Sequence, residues 1–275
     1  MQFSVLLSVY FRENPEYLAV ALQSLIEQKL CPDQIVIVKD GKLGENLEVV
    51  ISKFINQCNE KIAITIVEFT ENKGLGIALA EGLKACKYDL VARMDTDDIA
   101  CPERFFLQVQ EFRRDADLTV LGSDIREFET VPENITGCRI VPKTGAEIIR
   151  YAKKRNPFNH MTVMFRKAAI LEVGNYQDFL WFEDYYLWVR LILKGYKMKN
   201  LAQPLVLVRA GQEMLARRAG LKYIKQECRL QARFLQLGFI NYYEFLRNCL
   251  LRAIVRLLPR KIIGAVYSKV LRTQN

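Results

Sequence analysis

A chain of 275 residues that is 51% hydrophobic and carries only 8 prolines can bury a substantial core, which excludes a disordered polymer. Its 7 cysteines stand singly, in odd number and without a C-x-x-C pair, and it has 1 histidine, so neither a disulfide framework nor a His-cluster zinc site is expected. The net charge of +9 is uneven: residues 209–275 hold 14 Lys and Arg against 3 Asp and Glu, while the preceding 208 residues hold 26 against 28. A basic end of this kind points to a polyanionic partner, either a membrane surface or nucleic acid.

The first segment, Phe3–Tyr10, has no basic leader or small-residue cleavage site and reads as a buried strand rather than a signal peptide. No apolar run approaches the ~18 residues of a spanning helix. A helix follows over 15–29, where Leu18, Ala21, Leu22, Leu25 and Ile26 share one face after Pro15. Strand Gln34–Val38, helix 45–58, strand Ile62–Phe69, helix 75–86 and strand Leu90–Met94 continue the alternation. Near-continuous apolar strands separated by helices imply a mostly parallel sheet covered on both faces. Ligands of such sheets sit beyond the carboxyl ends of the strands. Ser8-Val9-Tyr10, Lys39-Asp40-Gly41, Asn72-Lys73-Gly74 and Asp95-Thr96-Asp97 all fall at those ends and are expected to converge.

Asp95 and Asp97 lie two residues apart, so an extended backbone would turn both to one side. Their repulsion is relieved by hydrogen-bond donors or a divalent cation. Magnesium and manganese favour such hard oxygen ligands together with substrate phosphates. The competing reading is a solvated acidic turn that caps the helix starting near Pro102. Asp40 can accept hydrogen bonds from a base or ribose, with Gly41 admitting the ligand to the backbone, although Asp-Gly is also a common turn. Lys73 can meet a phosphate, but neither a Walker loop nor a dinucleotide G-x-G-x-x-G is present. Glu183-Asp184 opens a helix running through Leu187, Trp188, Leu191 and Ile192. A helix N-terminus lowers a carboxylate pKa unless desolvation opposes it.

Taken in order, Ser8-Val9-Tyr10, Val38-Lys39-Asp40-Gly41, Asn72-Lys73-Gly74-Leu75-Gly76, Met94-Asp95-Thr96-Asp97-Asp98 and Phe182-Glu183-Asp184-Tyr185 resemble the motifs of the family 2 glycosyltransferases. These are inverting nucleotide-sugar transferases, and the chain looks most like bacterial enzymes that build O-antigen, capsule or exopolysaccharide. The resemblance implies a GT-A fold over 1–210, a Rossmann-like α/β domain with a mostly parallel mixed sheet flanked by helices. A basic amphipathic helical region, 211–275, would follow it. By the same resemblance Ser8 and Tyr10 border the nucleotide, Asp40 binds the base (usually uracil) and Asp95 lies near the ribose and diphosphate. Asp97 would coordinate Mn2+ or Mg2+, with Asp98 supporting the metal or the sugar. Asp184 would be the general base, with Glu183 beside it. The segment Asn156–Met161 would border the acceptor pocket, where His160 touches an acceptor group or is structural. Arg209, Arg217 and Arg218 would meet donor or acceptor phosphates. One departure is that Lys39 and Lys42 flank Asp40-Gly41, where the family often has Asp-Asp/Asn-Gly-Ser. Inverting transfer needs one base opposite the leaving group and positive charge on the departing diphosphate, and this set would supply both.

In the tail, Phe245, Leu246, Cys249, Leu250, Ala253, Ile254 and Leu257 recur at helical spacing, with Arg252, Arg256 and Arg260 on another stripe. A second pattern runs from Ile262 to Val270, with Lys269 and Arg272. Helices lying in the plane of an anionic membrane over 242–272 fit this pattern; packing on the domain or a homodimer are the alternatives. The expected protein is cytoplasmic and peripherally attached to the inner face of the cell membrane. It would move a sugar from a nucleotide-diphosphate sugar, foremost a UDP-sugar, to a polyprenyl-diphosphate-linked saccharide. A metal-dependent nucleotidyltransferase and a non-catalytic membrane- or nucleic-acid-binding module are the other readings. Nucleic acid is not expected, because the tail offers few aromatics for base stacking.

Overall fold

The computed structural model describes residues 1–58, 61–210 and 220–257, with side chains as far as residue 254. Its first part is an alternating series: β1 (Phe3–Tyr10), α1 (Pro15–Ile26), β2 (Gln34–Asp40), α2 (Glu45–Cys58), β3 (Ala63–Glu68), α3 (Leu75–Ala85) and β4 (Leu90–Arg93). Strands β1, β2 and β4 are almost wholly buried apolar runs, and all four strands pair in parallel in the order β3-β2-β1-β4. Asn14 starts α1 by accepting the amides of Glu16 (2.8 Å) and Tyr17 (3.4 Å), with Pro15 at the first helical position, where its missing N–H is harmless. The helix stops at Ile26 rather than 29. The Lys29 amide donates to the Pro102 carbonyl and the Gln28 amide group reaches the Cys101 carbonyl, so this stretch ties α1 to the loop over 101–102.

The second part turns the sheet back on itself. It comprises β5 (Ile99–Ala100), α4 (Arg104–Arg114), β6 (Leu118–Phe128), β7 (Ile135–Arg139), α5 (Gly145–Ala152), β8 (Met164–Arg166), α6 (Lys167–Glu172), α7 (Glu183–Leu193) and β9 (Lys197–Arg209). Strand β8 lies antiparallel between β4 and β6, β9 runs parallel to β6, and β5 closes antiparallel on β9. Ahead of β8 the chain makes a tight turn over His160–Thr162. The Thr162 hydroxyl and amide both bond the Asn159 carbonyl, which holds that residue out of the ladder.

Two apolar layers sandwich the sheet. Leu18, Leu22, Phe54 and Phe105 pack one face, while Leu79, Leu83, Leu187 and Trp188 pack the other. A third cluster joins α7 to α8 (Leu221–Gln236) through Tyr185, Tyr186, Tyr223 and Phe234. Helix α9 (Tyr242–Leu257) turns its polar side to the body. Asn248 donates to the Lys153 carbonyl and to Gln231 Oε1, both at 2.8 Å, and Arg252 pairs with Glu227 at 3.0 Å. Its apolar side, carrying Tyr243, Leu246, Leu250 and Ile254, faces away from the body and is exposed.

Candidate active site

The parallel register fixes which residues meet. Tyr10 and Asp40 are partners at the ends of β1 and β2, and Ser8 stands opposite Val38; Ser8 and Tyr10 are half-buried. Asp40 is buried, and its carboxylate accepts the amides of Lys73 (2.7 Å) and Gly74 (3.0 Å) and the side chain of Asn72 (3.0 Å). Asp40 therefore latches the loop that enters α3. Gly41 allows the latch to close: its φ is +89°, and a Cβ there would lie 2.7 Å from the Asn72 nitrogen. Lys73 extends from this loop with its ammonium 4.9 Å from the Phe69 ring centroid.

The acidic motif bends over Thr96–Asp98 instead of continuing extended, and this brings a third carboxylate into the cluster. One oxygen from each of Asp95, Asp97 and Asp98 lies within 4.8 Å of the others. The bend has a tertiary cause. Strand β5, directly after the motif, pairs Ile99 with Leu207 of β9, so Asp98 accepts the Arg209 amide at 2.9 Å. Asp95 pairs with the buried guanidinium of Arg93, and the Thr96 hydroxyl donates to Glu13. The residue capping α4 is Glu103, so the acidic loop does not serve as that helix's cap. Burial, then the charges of Asp95 and Glu13, push the Asp97 carboxyl up to about 7. Asp98 is raised well above the usual carboxylate range by burial, then by Asp97 and Asp95.

The charge of Arg93 also reaches the start of α7, where it acts on Glu183 and Asp184. Helix α3 approaches it so closely that a Cβ on Gly76 would stand 3.0 Å from the Gln177 carbonyl oxygen and 3.3 Å from Glu183 Cβ. Asp184 accepts the Asn156 side-chain amide and the Tyr185 amide, both at 2.6 Å. The helix N-terminus does not decide its acidity, because burial raises the Asp184 pKa against those two bonds and Arg93. Burial and the neighbouring Asp184 push Glu183 up to about 7. Both acids thus hold protons more tightly than free carboxyls do, as suits groups that take up a proton during a reaction.

His160 sits 3.0 Å from the Tyr176 hydroxyl, with its ring beside Trp188. Burial, helped by Arg93, drops its pKa well below the ordinary value, so the imidazole is neutral. The Arg209 guanidinium lies over the rings of Tyr17 (3.7 Å) and Phe128 (4.6 Å). Arg217 and Arg218 lie outside the described residues.

Two participants, Arg93 and Glu13, had no role assigned from the sequence. Arg93 is 2% exposed, and its Nε and Nη1 have no hydrogen-bond partner; its charge lowers the pKa of Glu183, Asp184 and His160 and links the two acidic groups. Its signal was an arginine inside the apolar run Leu90-Val91-Ala92, since a buried cation is expensive unless paired. Glu13 reaches the site by tertiary contact alone, and Asn156, in the segment expected at the acceptor pocket, gains its role from its bond to Asp184.

Residues 4–178 match the family described as glycosyl transferase family 2. The chain belongs to that family. A relative in this family, an uncharacterized glycosyltransferase of Haemophilus influenzae, is 41% identical over 99% of this chain and 100% of its own length. Another, the UDP-Gal:alpha-D-GlcNAc-diphosphoundecaprenol beta-1,3-galactosyltransferase of Escherichia coli, is 37% identical over 98% of this chain and 97% of its own. Among solved structures, S. aureus TarS 1-349 in complex with UDP-GlcNAc superposes with a TM-score of 0.66 at 18% identity, covering 98% of this chain and 77% of that one. The family 2 glycosyltransferase assignment and the GT-A fold expected from the motifs both hold.

The carboxylate cluster fits a divalent cation. It offers hard oxygen donors: burial first, and then the neighbouring carboxylates, disfavour the charge on Asp97 and Asp98, and Asp97 has no ion pair among the described residues. Arg93 already balances Asp95, which leaves Asp97 the foremost ligand of the three.

Proposed function

We propose that this enzyme transfers one sugar, with inversion, from a UDP-sugar to a polyprenyl-diphosphate-linked saccharide at the inner face of the cell membrane. The observation that carries the reading is two acidic groups that share the charge of Arg93: a carboxylate cluster at 95–98 whose oxygens lie within 4.8 Å of one another, and a buried carboxylate pair at 183–184. The substrate class follows the name of the Escherichia coli relative, which aligns with nearly the whole chain. The relatives give no support to nucleotidyl transfer or a non-catalytic module.

In this reading Ser8, Tyr10 and the Asp40-latched loop with Lys73 border the nucleotide, and Asp95, Asp97 and Asp98 hold Mn2+ or Mg2+. The cation, when bound, offsets the negative charge that builds on the departing diphosphate. Asp184 takes the proton of the attacking acceptor hydroxyl as the bond to the anomeric carbon forms. Asn156 fixes the orientation of that carboxylate, and desolvation by the bound substrates strengthens it as a base. His160, neutral and engaged with Tyr176, shapes the acceptor side rather than supplying charge.

Membrane attachment rests on the inverted helix α9, whose polar side contacts the body while Leu246, Leu250 and Ile254 lie exposed. The excess of cations over 209–275 suits an anionic surface. Among the described residues no helix is long and apolar enough to cross a membrane. The remainder of the proposed contact, 258–272, lies outside the described residues.

Thermal shift with UDP, GDP, dTDP and CDP, each with and without manganese, tests the donor site. Stabilisation by UDP only with metal is expected; indifference to all four nucleotides would overturn the reading. Co-flotation with anionic but not neutral vesicles tests the membrane contact.

A further inference from the structure

The chain has 2 tryptophans, and their settings are opposite. Trp188 is fully buried within α7, whereas Trp181, three residues before Asp184, keeps 38% of its surface exposed. Trp181 also has a φ of +69°. For a bulky L-residue that conformation is a genuine outlier, and such strain persists only where the surroundings fix it.

The surroundings here are aromatic and come from α8. The indole stacks on Tyr223, with centroids 5.1 Å apart and planes inclined by 28°. Tyr223 is buried and meets Phe182 edge-on at 5.3 Å. The Lys222 ammonium stands 5.8 Å from the indole centroid. The fold thus accepts a strained backbone in order to hold a rigid indole, braced by a second ring, at the surface beside the carboxylate pair.

A saccharide is a natural occupant of such a ring. The polarised C–H bonds on one face of a pyranose are drawn to the negative face of an aromatic system, and dispersion over the flat contact adds to the attraction. Three residues of chain span at most about 10 Å, so the backbone that carries the indole lies within that distance of the Asp184 backbone.

We propose that Trp181 is the stacking platform for the acceptor saccharide, holding a pyranose ring so that its hydroxyl can reach Asp184. The proposal rests on the saccharide acceptor and the Asp184 base of the function proposed above. It adds a specificity-determining residue that reads sugar rather than lipid or phosphate.

The test uses the full chain and synthetic acceptors: medium-chain alkyl diphosphate esters of GlcNAc, GalNAc, glucose and galactose, with the sugar-free alkyl diphosphate as control. Acrylamide quenching of tryptophan emission reports Trp181 selectively, because Trp188 is buried; Trp181→Ala assigns the signal. At least one sugar ester should shield the exposed tryptophan while the sugar-free diphosphate does not. Trp181→Ala should raise the Kd and KM for that ester by about tenfold, and Trp181→Phe should recover most of the loss. The KM for the donor should not rise in parallel, which separates stacking from a general structural effect.

Equal shielding by the sugar-free diphosphate, or unchanged acceptor Kd in Trp181→Ala, would overturn the platform. If wild type binds none of the esters yet manganese-dependent UDP stabilisation persists, the saccharide-acceptor reading fails and the platform with it, while the donor site stands. Melting curves guard against misfolding, and Trp181→Gly, suited to the positive φ, supplies a second variant without the ring.

Discussion

Replacing Asp184 by asparagine should separate catalysis from stability. In the native site each carboxylate oxygen accepts one bond, from the Asn156 amide and the Tyr185 amide, both at 2.6 Å. An asparagine amide keeps one acceptor and turns a donor toward the other partner, forfeiting one hydrogen bond of about 1 kcal/mol. Against that loss, burial raises the Asp184 pKa, so the ionised carboxylate is itself disfavoured in the fold, and a neutral amide escapes the penalty. The two effects oppose, and the melting temperature should stay within about 3 °C of wild type. Turnover should fall much further. Removal of a general base lowers rate by about a hundred- to ten-thousand-fold, equivalent to roughly 3–5.5 kcal/mol of barrier. Release of UDP in the presence of acceptor measures turnover, while thermal shift with UDP and manganese measures donor binding, which should survive. Turnover within tenfold of wild type would refute the base assignment, and a collapse in melting temperature would refute the energetic argument.

Asn156→Ala removes a bond that lowers the Asp184 pKa, so the rising limb of the pH–rate profile should move to higher pH, and an unmoved limb would deny Asn156 its positioning role. Because Asp97 is pushed up to about 7 in the folded protein, against roughly 3.9 when unfolded, the folded state keeps its proton through that interval. Metal-free stability attributable to Asp97 should therefore fall between about pH 4 and 7. Magnesium affinity, which needs the carboxylate, should climb over the same window and flatten above it; Asp97→Asn should abolish the metal-dependent part of UDP binding. Gly41→Ala combines a φ of +89° with a Cβ 2.7 Å from the Asn72 backbone nitrogen, and should cost about 2–4 kcal/mol by urea unfolding while weakening UDP binding.

Much of this protein was legible from local pattern alone. Apolar runs and helical spacing predicted the parallel strands and covering helices of the first 93 residues within a few positions, because both signals are short-range consequences of backbone geometry. The ordered motifs at strand ends likewise foretold the family, since strand polarity alone sends Tyr10, Asp40 and Asp95 to one edge. What the sequence could not supply was the partner of each charge. Asp98 turns inward because β5 pairs with β9 more than a hundred residues along the chain, and Arg93 acts on both acidic groups only once the fold brings the start of α7 within reach of its charge. Asp40 reads as a ligand residue in isolation, yet in the fold it also latches the loop over 72–74. Even the acidity of Asp184 reverses: helix position alone argues for a lowered pKa, and burial raises it. Burial and charge pairing depend on everything packed around a group, so tertiary structure decided the chemistry of the residues that the sequence could only bring to the same edge.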